Sequence, residues 1–196
     1  MKVVILGSGK GTNTHVLIEA FKQNQLGEAK IVAVFSDVLE SGVLKFAEEN
    51  QIPKFFLEAG SVKHRICEDH EKNWIESIQQ HKPDLIILAG FMRVLGKSFL
   101  SAFKHRIINL HPSLLPSFKG LNAVKRAFEY KVKITGCTIH WVNEDIDGGD
   151  IIAQAPVRIM DGDTFENVLA KVQAAEHMLL PWIVSDLSTG TLPLPD

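Results

Sequence analysis

The sequence predicts an α/β protein: a doubly wound, mostly parallel sheet with a Rossmann-like N-terminal half and an antiparallel C-terminal hairpin, in a single domain. Three observations predict it. Short runs that are apolar at every position alternate with longer stretches of helical period, and such runs belong to strands covered on both faces. A glycine-rich turn follows the first run directly. Two late strand-like runs are joined by a short acidic turn, which permits antiparallel pairing.

Val3–Leu6 is the first strand. Asn13 is placed to cap the helix after it, with Val16, Leu17, Ala20 and Phe21 along one face. Ile31–Phe35 is the second strand, and Leu44, Phe46 and Ala47 mark a helix that stops near Pro53. A third helix is expected from His64 to His81, with Trp74, Ile75 and Ile78 at helical spacing and Lys82-Pro83 at its end. Asp84–Ala89 and Arg106–Leu110 are the next strands, and their alternation with helices gives parallel βαβ units. A proline-rich stretch leads to a helix over about 121–130. Ile134–Val142 and Asp150–Val157 form the hairpin, and a last helix runs over about 164–187, capped by Asp163. No repeat, low-complexity segment or linker interrupts residues 1–196, so one domain is expected.

Composition narrows the partners. Apolar residues are 45% of the chain, charged residues 22%, and the net charge is −2, so nothing calls for a nucleic acid or an acidic membrane. No segment approaches the roughly 20 apolar residues of a membrane span. Cys67 and Cys137 are too few and too separated for a disulfide framework, and a reduced cytoplasmic setting fits them. The short apolar N-terminus does not read as a signal peptide.

Gly7-Ser8-Gly9-Lys10-Gly11-Thr12-Asn13 stands between the first strand and its helix. Glycines allow a tight turn there, and exposed amides at the helix start favour a phosphate. The spacing does not match a P-loop. It nearly matches a dinucleotide fingerprint, with Thr12 at the third glycine position and Asp37 near where a ribose-binding acid would stand. The loop alone leaves mononucleotide, dinucleotide and purely structural readings open.

The fourth strand carries Asn109 and His111 two residues apart, hence on one face, at the C-terminal end where open α/β sheets place ligands. A carboxamide donor beside an imidazole suits a developing oxyanion. Asp147 in the acidic turn is the expected partner of His111, with Asp145 as rival, and a carboxylate there should raise the imidazole pKa. Thr138 and His140 share one face of the next strand and are expected to support the site.

Together the segments NLHPSLLPSFKG (109–120) and GCTIHWVNEDIDGG (136–149) closely resemble the folate-dependent glycinamide ribonucleotide formyltransferases. The resemblance spans nearly the whole chain and includes GSGKGTN, LAGFMRVL, IIAQAPV and VQAAEH. It implies a catalytic trio of Asn109, His111 and Asp147. It places the ribonucleotide on Gly11, Thr12, Asn13 and Glu176, within a phosphate-binding half at 1–100. The pterin of 10-formyltetrahydrofolate falls to Arg93, Val94 and Leu95 with the loop Val142, Asn143, Glu144 and Asp145, the latter in a catalytic and folate-binding half at 101–196. It implies a cis Leu115–Pro116 bond and no metal. Lys10 and Arg65 are further candidates for the phosphate. The expected partners are small molecules, in a monomer or homodimer.

Two relatives of that family are disfavoured. Formyltetrahydrofolate deformylases carry a domain ahead of the catalytic one, whereas the first strand here begins at Lys2, and they show a second histidine where this chain has Pro112. Methionyl-tRNA formyltransferase carries a further RNA-binding domain for which the chain leaves no room. A nicotinamide dinucleotide-binding protein, using Gly7, Gly9, Gly11 and Asp37, is the alternative from a different class.

Overall fold

The computed structural model describes residues 1–195; Asp196, the last position of the expected domain, lies outside them. Among the described residues one seven-stranded sheet runs in the order β3-β2-β1-β4-β5-β6-β7. Its strands are β1 (Lys2–Leu6), β2 (Lys30–Ser36), β3 (Lys54–Phe56), β4 (Leu85–Leu88), β5 (Ile107–His111), β6 (Ile134–Trp141) and β7 (Ile151–Arg158). The helices are α1 (Thr12–Lys22), α2 (Gly42–Glu49), α3 (Glu68–Gln79), α4 (Lys97–Ala102), α5 (Ala123–Glu129) and α6 (Phe165–Thr189). β1 to β5 pair parallel, and β6 and β7 pair antiparallel, so the predicted fold class holds.

Strand periodicity divides the interior in two. Val3 and Ile5 enter the cluster under α1 and α6, while Val4 and Leu6 enter the opposite one, which holds Trp74 of α3 and Phe99 of α4. Alternate residues point to opposite faces, so both faces are apolar and the strand reads as an unbroken run. The strand order reverses between β1 and β4, and such a switch point opens a crevice at the strand ends. There the Ser8 amide donates to the Gly90 carbonyl at 3.1 Å and the Met92 amide to Ser8 Oγ at 2.9 Å.

Several boundaries differ from the sequence reading. The third helix starts at Glu68, not His64, because His64 takes a positive φ of 69° and Arg65 bridges to Val94. β3 went unseen because its three residues form an exposed edge without alternation, and α4 because six residues carry little periodicity. Thr164, not Asp163, caps α6 by accepting from the Asn167 amide at 3.3 Å. Asp163 instead holds the Met160 amide at 2.7 Å and Lys171 at 2.5 Å. The Leu115–Pro116 bond is cis, as the resemblance implied.

Ile87, fully buried in the central strand β4, tests this architecture. Ile87→Ala should cost about 2–5 kcal/mol of stability, read as a lower urea midpoint with an unchanged denaturant slope.

Candidate active site

The glycine loop ends on Gly11, which occupies the N-cap of α1 with φ 76° and offers no side-chain cap. An added Cβ would stand 2.7 Å from the Val43 amide nitrogen, so glycine is required by both conformation and space. Without a capping side chain the first amides of α1 stay available to an anion. Asn13 is therefore not the cap that its position suggested. Its Nδ2 reaches across to Glu176 Oε2 on α6 at 3.2 Å, and its Oδ1 is buried without a partner. Thr12 and Lys10 are exposed at the loop, whereas Arg65 lies against Val94 through the backbone bridge.

Glu176 is buried, and burial pushes its carboxyl up to about 7 against the opposing Asn13 bond. Burial, with the nearby Glu176 carboxyl adding to it, pushes the Cys137 thiol up to about 12, which leaves that thiol inert at neutral pH.

On the other side of the strand ends, β5 sets Asn109 opposite His140 and His111 opposite Thr138 of β6. The turn between β6 and β7 brings Asp147 back over them with a φ of 48°. Asp145 stays exposed in the same turn, which decides between the two acids by geometry. Asp147 Oδ2 lies 3.2 Å from His111 Nδ1 and accepts from the Gly120 amide at 2.7 Å. Its Oδ1 accepts from Asn109 Nδ2 at 3.3 Å. The Asn109 amide also meets His140 Nε2 at 3.1 Å. Both amide hydrogens expected for an oxyanion are thus engaged within the protein. Thr138 Oγ1 donates to the Ser113 carbonyl at 2.7 Å and accepts from the Leu115 amide at 3.1 Å, holding the segment after His111.

The charge state of this cluster corrects one expectation. Burial lowers the His111 pKa, and this outweighs the upward pull of Asp147 and of the Phe118 carbonyl. The imidazole is therefore neutral at pH 7, a base and not a standing acid. Burial also pushes Asp147 up, but His140, the Gly120 amide and His111 outweigh it, and its carboxyl sits below the ordinary value. His111 Nε2 lies 3.0 Å from the Phe118 carbonyl, so a proton arriving on the ring finds an acceptor at both nitrogens.

Leu95 is buried, Val94 is exposed, and Val142 packs on the same apolar cluster as Leu95. The segments Arg93–Leu95 and 142–145 therefore meet on one apolar cluster, and Lys97 and Glu144 pair at the surface beside them at 3.1 Å. Asn143 Oδ1 accepts from the Asp145 amide at 3.0 Å, shaping that loop. Arg93 turns its Nε to Asp37 Oδ2 at 2.6 Å and an Nη to the Val62 carbonyl at 3.0 Å. The acid that a dinucleotide reading would give to a ribose is thus occupied by Arg93.

Sequence reasoning missed three contributors: the Phe118 carbonyl, the Gly120 amide and Arg126. Arg126 stands over the Phe118 ring at 5.8 Å and bonds the Lys119 carbonyl at 2.5 Å. Backbone groups carry no residue-type signal, and only Gly120, with φ 78°, could have hinted at the turn.

A glycine-capped helix start facing a buried acid, in an α/β sheet whose β5 and β6–β7 turn bring together an Asn–His–Asp cluster, is the frame of a group-transfer enzyme. Residues 1–184 match the family described as formyl transferase, and the chain belongs to that family. The phosphoribosylglycinamide formyltransferase of Escherichia coli (strain K12) is 35% identical over 194 residues, covering 99% of this chain and 90% of its own length. That of Bacillus subtilis (strain 168) is 36% identical, covering 95% and 94%. The solved phosphoribosylglycinamide formyltransferase of Bacillus halodurans superposes with a TM-score of 0.91 at 35% identity, over 98% of this chain and 97% of its own. That of Brucella melitensis gives 0.87 at 41% identity, over 99% and 98%. Among the described residues no helix is long and apolar enough to cross a membrane.

Glu176 gives a direct test of the site's electrostatics. A carboxyl whose folded pKa of about 7 exceeds its ordinary value of 4.5 binds more protons in the native state across that window. Stability then falls as pH rises from 4.5 toward 7 and stays reduced above it. Glu176→Gln should remove roughly 3 kcal/mol of this penalty at pH 8 and almost none at pH 4, read by chemical denaturation at both pH values.

Proposed function

We propose that this protein transfers the formyl group of 10-formyltetrahydrofolate to the primary amine of glycinamide ribonucleotide, in purine biosynthesis. The observation that carries the reading is the convergence of Asn109, His111 and Asp147 within hydrogen-bond reach at the strand ends, beside an uncapped helix start. Full-length similarity to proteins named for that reaction supports it.

The ribonucleotide phosphate is assigned to the amides at Gly11, Thr12 and Asn13, where a helix terminus favours an anion. Glu176 is assigned to the ribose hydroxyls as their acceptor. The pterin is assigned to the wall formed by Arg93, Val94 and Leu95, with Val142, Asn143, Glu144 and Asp145 over it. Thr138 and His140 support the trio from behind.

In this assignment the amine lone pair attacks the formyl carbon, and the carbonyl π pair moves onto oxygen. The nitrogen, now cationic, gives a proton to neutral His111. The resulting imidazolium is held by Asp147 and stabilises the alkoxide, for which it gives up the Phe118 carbonyl, the weaker of its two partners. It then delivers the proton to the folate nitrogen as the carbon–nitrogen bond breaks and the new formamide forms. Neutral His111 suits the first step, and Asp147 suits the second by balancing the charge that arrives.

The test is folate-product absorbance with 10-formyltetrahydrofolate, with and without glycinamide ribonucleotide. Turnover should require the ribonucleotide; turnover with water alone would make the protein a deformylase. Asp147→Asn should lower kcat on the order of 10³- to 10⁴-fold while equilibrium binding of both ligands persists. Normal turnover by that variant would remove Asp147 from the mechanism.

A further inference from the structure

Glu71 is a buried acid, at 5% exposure, that the proposed mechanism does not use. It lies in the first turn of α3, three residues before Trp74 and so on the same side of the helix. Trp74 is fully buried in the cluster that holds Val4 and Leu6 of β1. Its ring packs on Phe91 with centroids 5.4 Å apart, and its Nε1 donates to the Glu58 carbonyl at 2.9 Å, so this turn of α3 is fixed against the sheet. A polar group buried there is costly unless it is hydrogen-bonded. Glu71 Oε1 meets that requirement by accepting from the Gly96 amide at 2.7 Å. The approach is close on both sides. Gly96 is the N-cap of α4, with an ordinary φ of −81°, yet a Cβ added to it would collide with the Glu71 carboxyl. Glycine is required at this position by the acid and not by the backbone.

Gly96 closes the segment Arg93–Leu95. The first residue of that segment is held by Asp37 and the Val62 carbonyl. Its middle is held by the loop before α3, where the Val94 amide donates to the His64 carbonyl at 2.8 Å and the Val94 carbonyl accepts from the Ile66 amide at 3.3 Å. At its far end the backbone is held by Glu71. We propose that Glu71 is a positioning residue for the formyl donor: by pinning the Gly96 amide it sets the wall against which the pterin lies, an inference that rests on the functional reading above. A released Gly96 lets Leu95 turn, and the wall loses its shape. The glycine loop and the cluster of Asn109, His111 and Asp147 stand on other segments and keep theirs. The effect of Glu71 is therefore confined to the donor and does not extend to the ribonucleotide or the chemical step.

Steady-state kinetics on three variants tests the proposal. Glu71→Leu, similar in size but without an acceptor, should raise the KM for 10-formyltetrahydrofolate about fivefold or more, the effect of one unmade hydrogen bond. Its kcat and its KM for glycinamide ribonucleotide should change by less than about twofold, a split that general loss of structure does not produce. Glu71→Gln keeps an acceptor oxygen at the same reach and should stay within about twofold of the parent throughout. Glu71→Asp withdraws the acid by one methylene and should resemble the Leu variant, for which it stands in if Leu fails to fold. Equal rises in both KM values, or a Gln variant as impaired as Leu, would overturn the proposal. Hydrogen exchange supplies an arm independent of activity: the Gly96 amide should exchange slowly in the parent and in Glu71→Gln, and about tenfold faster or more in Glu71→Leu or Glu71→Asp. Unchanged exchange overturns the inference even if the enzyme assay succeeds. If the parent shows no ribonucleotide-dependent turnover, the acceptor reading fails by itself, and calorimetric binding of tetrahydrofolate to the same proteins takes the place of KM. Weaker binding by the Leu variant than by the parent then sustains the proposal; equal binding, or none by the parent, overturns it.

Discussion

The carboxylate of Asp147 is the constraint around which the site is arranged. It arrives from a turn and not from a strand, yet it collects the Asn109 amide and the His111 ring of β5 and the Gly120 amide of the loop that follows. A partly buried anion is costly unless it is fully hydrogen-bonded, so each of those contacts is needed by the carboxylate as much as it needs them. Removing any one leaves a charge short of partners. Positioning is thus a result of solvation: the acid finds in the protein the donors that water would have supplied.

The sheet makes this possible through its change of direction. Parallel strands end on one edge, which gives the glycine loop, the Arg93 segment and His111 a common rim. The antiparallel step at β6 carries the chain back until Trp141 stands opposite Ile108, and the turn that follows folds over β5 so that Asp147 reaches Asn109 and His111.

Much of this was legible in the sequence, for identifiable reasons. Unbroken apolar runs such as Leu85–Leu88 announce strands covered on both sides. Asn109 and His111 could be placed on one face from strand period alone. Asp147 could be named but not separated from Asp145, because a turn has no period; a positive φ and the inward path of the backbone separate them. The edge strand β3 had no core face to write into its residues. The protonation of His111 was misjudged because neighbouring charge can be read from sequence, whereas the depth of burial that outweighs it cannot. The role of Asp37 was likewise invisible until Arg93 was found upon it.

The bond between Asn13 and Glu176 joins residues 163 positions apart. It ties the first helix directly to the last. A chain emerging from the ribosome can form the early βαβ units while α6 is still unmade, and domains are synthesised over many seconds. Until α6 docks, Asn13 lacks its acid. The junction of the first and last helices is therefore completed only at the end of synthesis, and a truncated or stalled chain lacks it.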